Sequence, residues 1–249
     1  EKMNVLGVIL ARGGSKGVPK KNLKMLAGVP LVAYTIIEAQ KSKKISRLIL
    51  SSEDPETLEL GKKMGCITVK RPDELATDHA ASPPCVIDAV KQLQEKNGFE
   101  TDVSVLMQPT TPFRRVDTID KCVEVLEKEG ADSVVSVTKA PHFVNPHWVR
   151  KIENGYLKPY LDVKDFTRRQ DLPDVYWRNG QIYCTRRKVL FETKDFYGEK
   201  CIPYIMDDIY QVNIDATVDF RFAEYLLEAG EIDFDVEHVR KEYGLRAEA

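Results

Sequence analysis

Val5-Leu-Gly-Val-Ile-Leu10, running straight into Ala11-Arg-Gly-Gly-Ser-Lys-Gly-Val-Pro-Lys-Lys-Asn22, decides the fold. A short apolar run that ends abruptly in a polar, glycine-bearing loop reads as a buried strand with a loop at its carboxyl end. Downstream, apolar runs alternate with amphipathic stretches. Their spacing predicts a helix over Leu31–Gln40 with Pro30 in its first turn, a strand over Arg47–Ser51, a helix over Pro55–Met64 and a short strand over Cys66–Val69. A helix follows from Ser82, read as its N-cap, to about Lys96, then a strand over Val103–Met107, a helix over Val116–Lys128 and a strand over Ser133–Val137. Strict alternation of this kind implies right-handed crossovers and a doubly wound, mostly parallel α/β sheet.

The rhythm changes after Lys139. Residues 140–178 carry four prolines and the hairpin signal Asn154-Gly155, and are expected to protrude from a single domain spanning residues 1–249. Gln181–Thr185 and Cys201–Met206 return to strand character. Thr217–Ala229 reads as a helix buried through Phe220, Ala223, Tyr225 and Leu226, and Asp235–Tyr243 as a last helix.

Lys+Arg 37 against Asp+Glu 39 leaves a net charge of −2, without the clustered basic excess of a nucleic-acid binder. No apolar run approaches the ~20 residues that span a bilayer, so no membrane partner is expected. Val5–Leu10 is too short for a signal peptide, and the chain opens Glu-Lys before its first Met, so either its start is expected upstream or the opening residues are an addition to the natural chain. Five scattered cysteines without a Cys-x-x-Cys pair speak against disulfides and structural zinc and for a reducing, cytoplasmic location.

In an open α/β sheet, ligands bind beyond the carboxyl ends of the strands, and the loop after Leu10 lies there. Gly13, Gly14 and Gly17 let the backbone turn tightly and bring its N–H groups toward an anion; Arg12, Lys16, Lys20 and Lys21 add four cations. That combination suits a triphosphate. It is neither G-x-x-x-x-G-K-[ST] nor G-x-G-x-x-G.

Leu10-Ala-Arg-Gly-Gly-Ser-Lys-Gly-Val-Pro-Lys-Lys-Asn22 resembles the signature of the CMP-sialic acid synthetase (N-acylneuraminate cytidylyltransferase) family. Arg71-Pro-Asp-Glu-Leu-Ala-Thr-Asp78, Leu106-Met-Gln-Pro-Thr-Thr-Pro-Phe-Arg114 and Arg178-Asn-Gly-Gln-Ile-Tyr183 match in the same order, across essentially the whole chain. The resemblance implies a Rossmann-like nucleotidyltransferase that joins CTP to the anomeric hydroxyl of a nine-carbon 2-keto sugar acid and releases pyrophosphate, with Mg²⁺ as cofactor.

Carried onto matching positions, the resemblance puts Arg12, Gly13, Gly14, Ser15, Lys16, Lys21 and Asn22 around the triphosphate, with Lys21 stabilising charge at the α-phosphate. Arg71, Ala80 and Ser82 match the cytosine-reading stretch. Gln108, Asn179, Tyr183, Phe196 and Tyr197 match sugar contacts, and Arg169 a guanidinium that pairs with the sugar carboxylate, with Arg168 beside it as a substitute. Asp215 matches the Mg²⁺ ligand. The family's usual Asp-Ile-Asp reads Asn213-Ile214-Asp215 here, so Asn213 offers a neutral oxygen, and one charge fewer weakens metal affinity. Asp207 and Asp208 lie nearby in sequence. Residues 140–178 resemble the family's dimerisation region, which lends a basic residue to the neighbouring site; Phe143, Trp148 and Tyr160 are interface residue types, and Lys139, Arg150 and Lys151 are candidate donated cations. His79, His142, His147 and His238 receive no role. Two other readings stay open: another base or an eight-carbon, Kdo-like acid sugar, and a catalytically impaired sugar-nucleotide-binding homologue. For the last, Asn213 speaks in favour, while Lys21 and Asp215 speak against.

Overall fold

The opening stretch forms β1 (Val5–Leu10), hydrogen-bonded in parallel to β4 (Arg47–Ser52) on one side and β6 (Val103–Met107) on the other. The computed structural model describes residues 3–14, 17–162, 168–207 and 212–247. Ser15, Lys16 and Asp208 therefore lie outside the described residues. Between β1 and β4 come the small β2 (Met25–Leu26) and β3 (Val29–Pro30) pair and α1 (Leu31–Gln40). α2 (Pro55–Lys63) leads to β5 (Ile67–Lys70), and α3 (Ser82–Asn97) to β6. α4 (Val116–Lys128) leads to β7 (Ser133–Lys139), followed by the hairpin β8 (Arg150–Glu153) and β9 (Tyr156–Pro159). β10 (Tyr176–Arg186), α5 (Arg187–Thr193), β11 (Cys201–Met206), α6 (Thr217–Glu228) and α7 (Val236–Ala247) complete the order.

The seven-stranded sheet runs β11-β7-β10-β6-β1-β4-β5, and only β10 is antiparallel to its neighbours. The pleat of β1 feeds two cores: Val5 and Ile9 pack on one face, Leu6 and Val8 on the other. Both faces are buried, which is why β1 is apolar throughout.

Local chemistry sets the helix starts. Asp54 caps α2, its carboxylate accepting from Thr57 N–H at 2.9 Å with Pro55 at the first helical position. Pro30 stands at the N-cap of α1, one residue before the expected first turn. Ser82 is not the N-cap of α3; Ala81 is, and no side chain caps it. As N-cap, Ser82 would need an N–H from Pro84 or Cys85, and Pro84 has none. The Ser82 side chain instead lines the cavities described below.

Other expectations need correction. Tyr225 is 58% exposed, because it sits about 140° around α6 from Phe220 and so leaves the buried stripe of Phe220, Ala223 and Leu226. β10 begins five residues earlier than the strand expected from Gln181, at Tyr176, and helix α5 was not foreseen. Asn154 and Gly155, at φ 55 and 80, turn the β8–β9 hairpin as expected.

β10 carries the irregularity that shapes the site. Arg178 faces Val137 and Tyr183 faces Val135, so five steps along β10 match two along β7. The excess bulges out at Asn179-Gly180, with Gly180 at φ +76.

Candidate functional site

Two cavities open at the carboxyl ends of the parallel strands, where the strand order reverses between β1 and β6. The smaller, about 390 Å³, is lined by Arg12, Lys21, Asn22, Arg71 and Ala80, with Asp215 among them. The larger, about 660 Å³, is lined by Trp177, Arg178, Asn179, Tyr183, Asp195 and Phe196. Ser82, Gln108 and Asn213 line both, so the cavities share a wall.

The glycine loop differs from expectation in one respect. Gly13 N–H donates to Glu53 Oε1 at 2.7 Å and Gly14 N–H to the same oxygen at 3.3 Å. The anion these amides meet is the chain's own side chain from the end of β4, and neither glycine lines the cavity. On the other side of the loop, Asn22 donates its amide to the Arg12 carbonyl at 2.9 Å. Arg12 itself is held by Asp78 at 2.7 Å and by the Thr77 carbonyl at 3.3 Å. Lys20 pairs with Glu56 on α2 and does not line the cavity.

Lys21 points inward. Its side chain is 12% exposed, and its Nζ lies 3.1 Å from Asp215 Oδ1. The loop also touches this segment through Gly17, where a β-carbon would stand 2.3 Å from the Asp215 carbonyl oxygen. Asp215 is brought there because Ile214 N–H donates to the Thr110 carbonyl at 2.8 Å, tying the late segment to the loop after β6. Asp219 caps the start of α6, accepting from the N–H groups of Asp215 and Ala216.

Arg71 is buried, donating to Ser51 Oγ at 3.1 Å and to the Ser51 carbonyl at 2.9 Å. Burial lowers its pKa, and the neighbouring Cys85 thiol is pushed up for the same reason. Arg71, Ala80 and Ser82 line the smaller cavity together.

In the larger cavity, Gln108 and Gly180 are in contact: a β-carbon on Gly180 would lie 2.4 Å from Gln108 Oε1. Asn179 lines the cavity, but its amide group is engaged within the fold, accepting from Ser136 Oγ at 2.6 Å and donating to Thr138 Oγ1 at 3.0 Å. It pins the bulge. Tyr183 packs its ring on Phe196 with centroids 5.0 Å apart, and burial raises its pKa to about 12. Thr185 Oγ1 donates to the Phe196 carbonyl at 3.0 Å and fixes that residue. Tyr197 does not line the cavity; its hydroxyl accepts from Arg178 at 3.4 Å.

Arg169 is not in this cavity. It borders another, of about 380 Å³, with Lys139, His142 and Asp174, because the β7-to-β10 excursion carries it away from the strand ends. Arg168 is tied to Asp171 at 2.7 Å, and Lys139 to Asp174 at 2.6 Å. The guanidinium that does line the larger cavity is Arg178, which the sequence placed in a matched motif without a role. Trp177 and Asp195, which line the larger cavity, and Glu53, which meets the glycine loop, had no sequence signal.

The metal expectation concerns Asp215 and Asn213. Asn213 Nδ2 donates to the Asp215 carboxylate, and among the described residues no group of three or more His, Cys, Asp or Glu is placed to hold a metal ion. One exposed carboxylate in a cavity that Arg12 and Lys21 also line fits the mode in which Mg²⁺ is held by one or two carboxylates plus substrate phosphates and water, not by a protein cage. Among the described residues, no helix is long and apolar enough to cross a membrane.

A family model described as cytidylyltransferase matches residues 6–240. CMP-N,N'-diacetyllegionaminic acid synthase of Legionella pneumophila is 35% identical over 230 residues, which is 91% of this chain and 97% of that relative. N-acylneuraminate cytidylyltransferase of Oncorhynchus mykiss is 32% identical over 90% of this chain and 50% of its own length. The solved CMP:2-keto-3-deoxy-manno-octonic acid synthetase complexed with CTP has a TM-score of 0.69 at 15% identity, over 92% of this chain and 100% of that one, a likeness of fold. With a matched model over nearly its whole length, a mostly parallel sheet and a cationic cavity at its reversal point, the chain belongs to the cytidylyltransferase family of nucleotidyltransferases.

Proposed function

We propose that the chain transfers the cytidylyl group of CTP to the anomeric hydroxyl of a nine-carbon 2-keto sugar acid, with CTP in the smaller cavity and the sugar in the larger. The observation that carries this reading is the shared wall: Ser82, Gln108 and Asn213 border both cavities, so ligands in each meet along one boundary. There the hydroxyl oxygen forms a bond to the α-phosphorus and gives up its proton to solvent, the bond from that phosphorus to the α,β-bridging oxygen breaks, and pyrophosphate leaves with its electrons. Such a transfer calls for positioning and charge neutralisation more than for covalent help.

Arg12 and Lys21 supply the fixed cations on the triphosphate side, and Arg71, Ala80 and Ser82 the wall for the base. Arg178 is the guanidinium available to the sugar carboxylate within the same chain. Tyr183 and Phe196 offer an apolar floor for an acyl group. Asp215, with Asn213 beside it, would hold Mg²⁺ together with the phosphates; when bound, that ion neutralises charge developing at the α-phosphate. The sequence similarity to a diacetyllegionaminic acid synthase supports a diacylated nine-carbon acid as the sugar.

We also propose that the hairpin region packs against a second copy of the chain. Ile152 is 79% exposed, Tyr156 and Leu157 72% each and Tyr160 60%, on a hairpin with no covering element among the described residues. Trp148 instead packs locally, edge-on to His142. In such a pair Arg169, remote from its own chain's cavity, would reach the neighbour's.

The test is pyrophosphate release with each of the four ribonucleoside triphosphates, Mg²⁺, and a panel of nine- and eight-carbon 2-keto acid sugars. Release with CTP and a nine-carbon acid is expected. A preference for another base or for an eight-carbon acid would overturn the substrate assignment, and no release in any pairing would overturn the catalytic reading.

A further inference from the structure

Arg114 is the largest side chain in the described structure with no solvent exposure, and it has no carboxylate bonded to it. Its Nε donates to the Gln181 carbonyl at 2.6 Å, one terminal nitrogen to Thr35 Oγ1 at 2.9 Å, and the other to the Gln108 carbonyl at 3.0 Å and Thr111 Oγ1 at 3.2 Å. Glu38, the acid whose charge acts on Arg114, is engaged by Lys41 and by the Val116 N–H. A guanidinium buried without an ion pair is unfavourable, and burial pushes its pKa down to about 9.

What the charge holds is specific. The Gln108 carbonyl belongs to the loop that walls both cavities, and the Gln181 carbonyl follows the bulge at Gly180. Thr111 Oγ1 links the same two segments, 3.1 Å from the Gln108 carbonyl oxygen and 3.3 Å from that of Gly180. Gln108 Oε1 and Gly180 are already too close to admit a β-carbon, so the spacing between these loops has no slack. An apolar side chain of the same volume would fill the space but grip neither carbonyl.

We propose that Arg114 is a positioning residue for the acceptor sugar: it fixes Gln108 against the Asn179-Gly180 bulge and so sets where the sugar's hydroxyl meets the nucleotide. This rests on the reading of the larger cavity as the sugar site. Arg114 lines neither cavity.

The test compares Arg114→Met, Arg114→Lys and Thr111→Val with the parent protein. Sugar KM and kcat come from pyrophosphate release, and CTP affinity from calorimetry without sugar. A misplacement of about 1 Å costs on the order of a hundredfold in rate. Arg114→Met should therefore lose roughly that much in kcat over sugar KM, with CTP affinity within about twofold of the parent. Arg114→Lys, which keeps the charge and three donors, should recover part of the loss, and Thr111→Val should show a smaller loss in the same direction. Should Arg114→Met fail to fold, Thr111→Val and Arg114→Lys carry the comparison. Unchanged sugar kinetics in folded variants would overturn the proposal. So would a parallel loss of CTP affinity and melting temperature, which would make Arg114 part of the general framework. Gln108→Ala separates the two levels: if it leaves sugar KM unaltered, the sugar-site reading itself falls.

Discussion

Lys21 Nζ and Asp215 Oδ1 stand 3.1 Å apart, although 194 positions separate them in the chain. The cation expected to face phosphate and the carboxylate expected to face metal thus form an ion pair with each other. If the proposed roles hold, a ligand that draws off either partner frees the other, and metal and nucleotide binding are then coupled positively.

Removing Asp215 separates the two roles. Its side chain is 67% exposed, so Asp215→Ala should leave the melting temperature nearly unchanged while turnover falls by at least ~100-fold. In EDTA the same variant should bind CTP a few times more tightly than the parent, because Lys21 is released and a negative charge leaves the cavity. Calorimetry of CTP with and without EDTA checks this. Weaker metal-free binding would show that the pair organises the cavity for nucleotide.

Asn213 also acts on Asp215, donating its amide to the carboxylate. Asn213→Asp replaces that donor with a second anion, which repels Asp215 in the metal-free state and adds a ligand in the loaded one. The Mg²⁺ concentration at half-maximal rate should drop several-fold. Superimposable metal titrations of the two proteins would defeat the charge argument.

The elements of the first half were legible because β1 and β6 are short unbroken apolar runs that stop at a polar loop, while α4 keeps a one-sided helical spacing between them and β7. What sequence could not show was register. The bulge in β10 exists because Asn179 spends its amide on Ser136 and Thr138 of β7, a pairing between strands that no local pattern reveals. Arg178 therefore carried no role in the sequence, whereas Arg169 was placed at the sugar and lies elsewhere. Gly13 and Gly14 were expected to turn their amides to a triphosphate, whereas both donate to Glu53, contributed by a strand end 40 residues on.

Gly180 offers a direct check on that bulge. Its φ of +76 is costly for any residue with a β-carbon, and an added methyl would meet Gln108 Oε1 at 2.4 Å. Gly180→Ala should cost about 1–3 kcal/mol of stability and raise sugar KM by an order of magnitude or more. CTP affinity should fall much less than sugar affinity, since Gly180 lines only the larger cavity and reaches the smaller one only through Gln108. Urea denaturation and steady-state kinetics read the two effects separately, and unchanged sugar kinetics would place the sugar away from Gln108.

Arg169 tests the two-copy reading. If it serves the neighbouring site, Arg169→Ala and Asp215→Ala are complementary: a mixed dimer holds one site with both defects and one with neither. Random exchange of equal amounts makes about half of the dimers mixed, so roughly a quarter of the parental activity should return. If Arg169 instead acted on its own chain, each site in the mixed dimer would retain one defect and no activity would return. Charging the exposed hairpin with Leu157→Asp should abolish the recovery and shift the sedimentation mass to that of one chain, because the apolar residues at Ile152, Tyr156 and Leu157 lose the surface they would bury. A protein that sediments as a single chain while fully active would end the dimer proposal and leave Arg178 as the carboxylate partner.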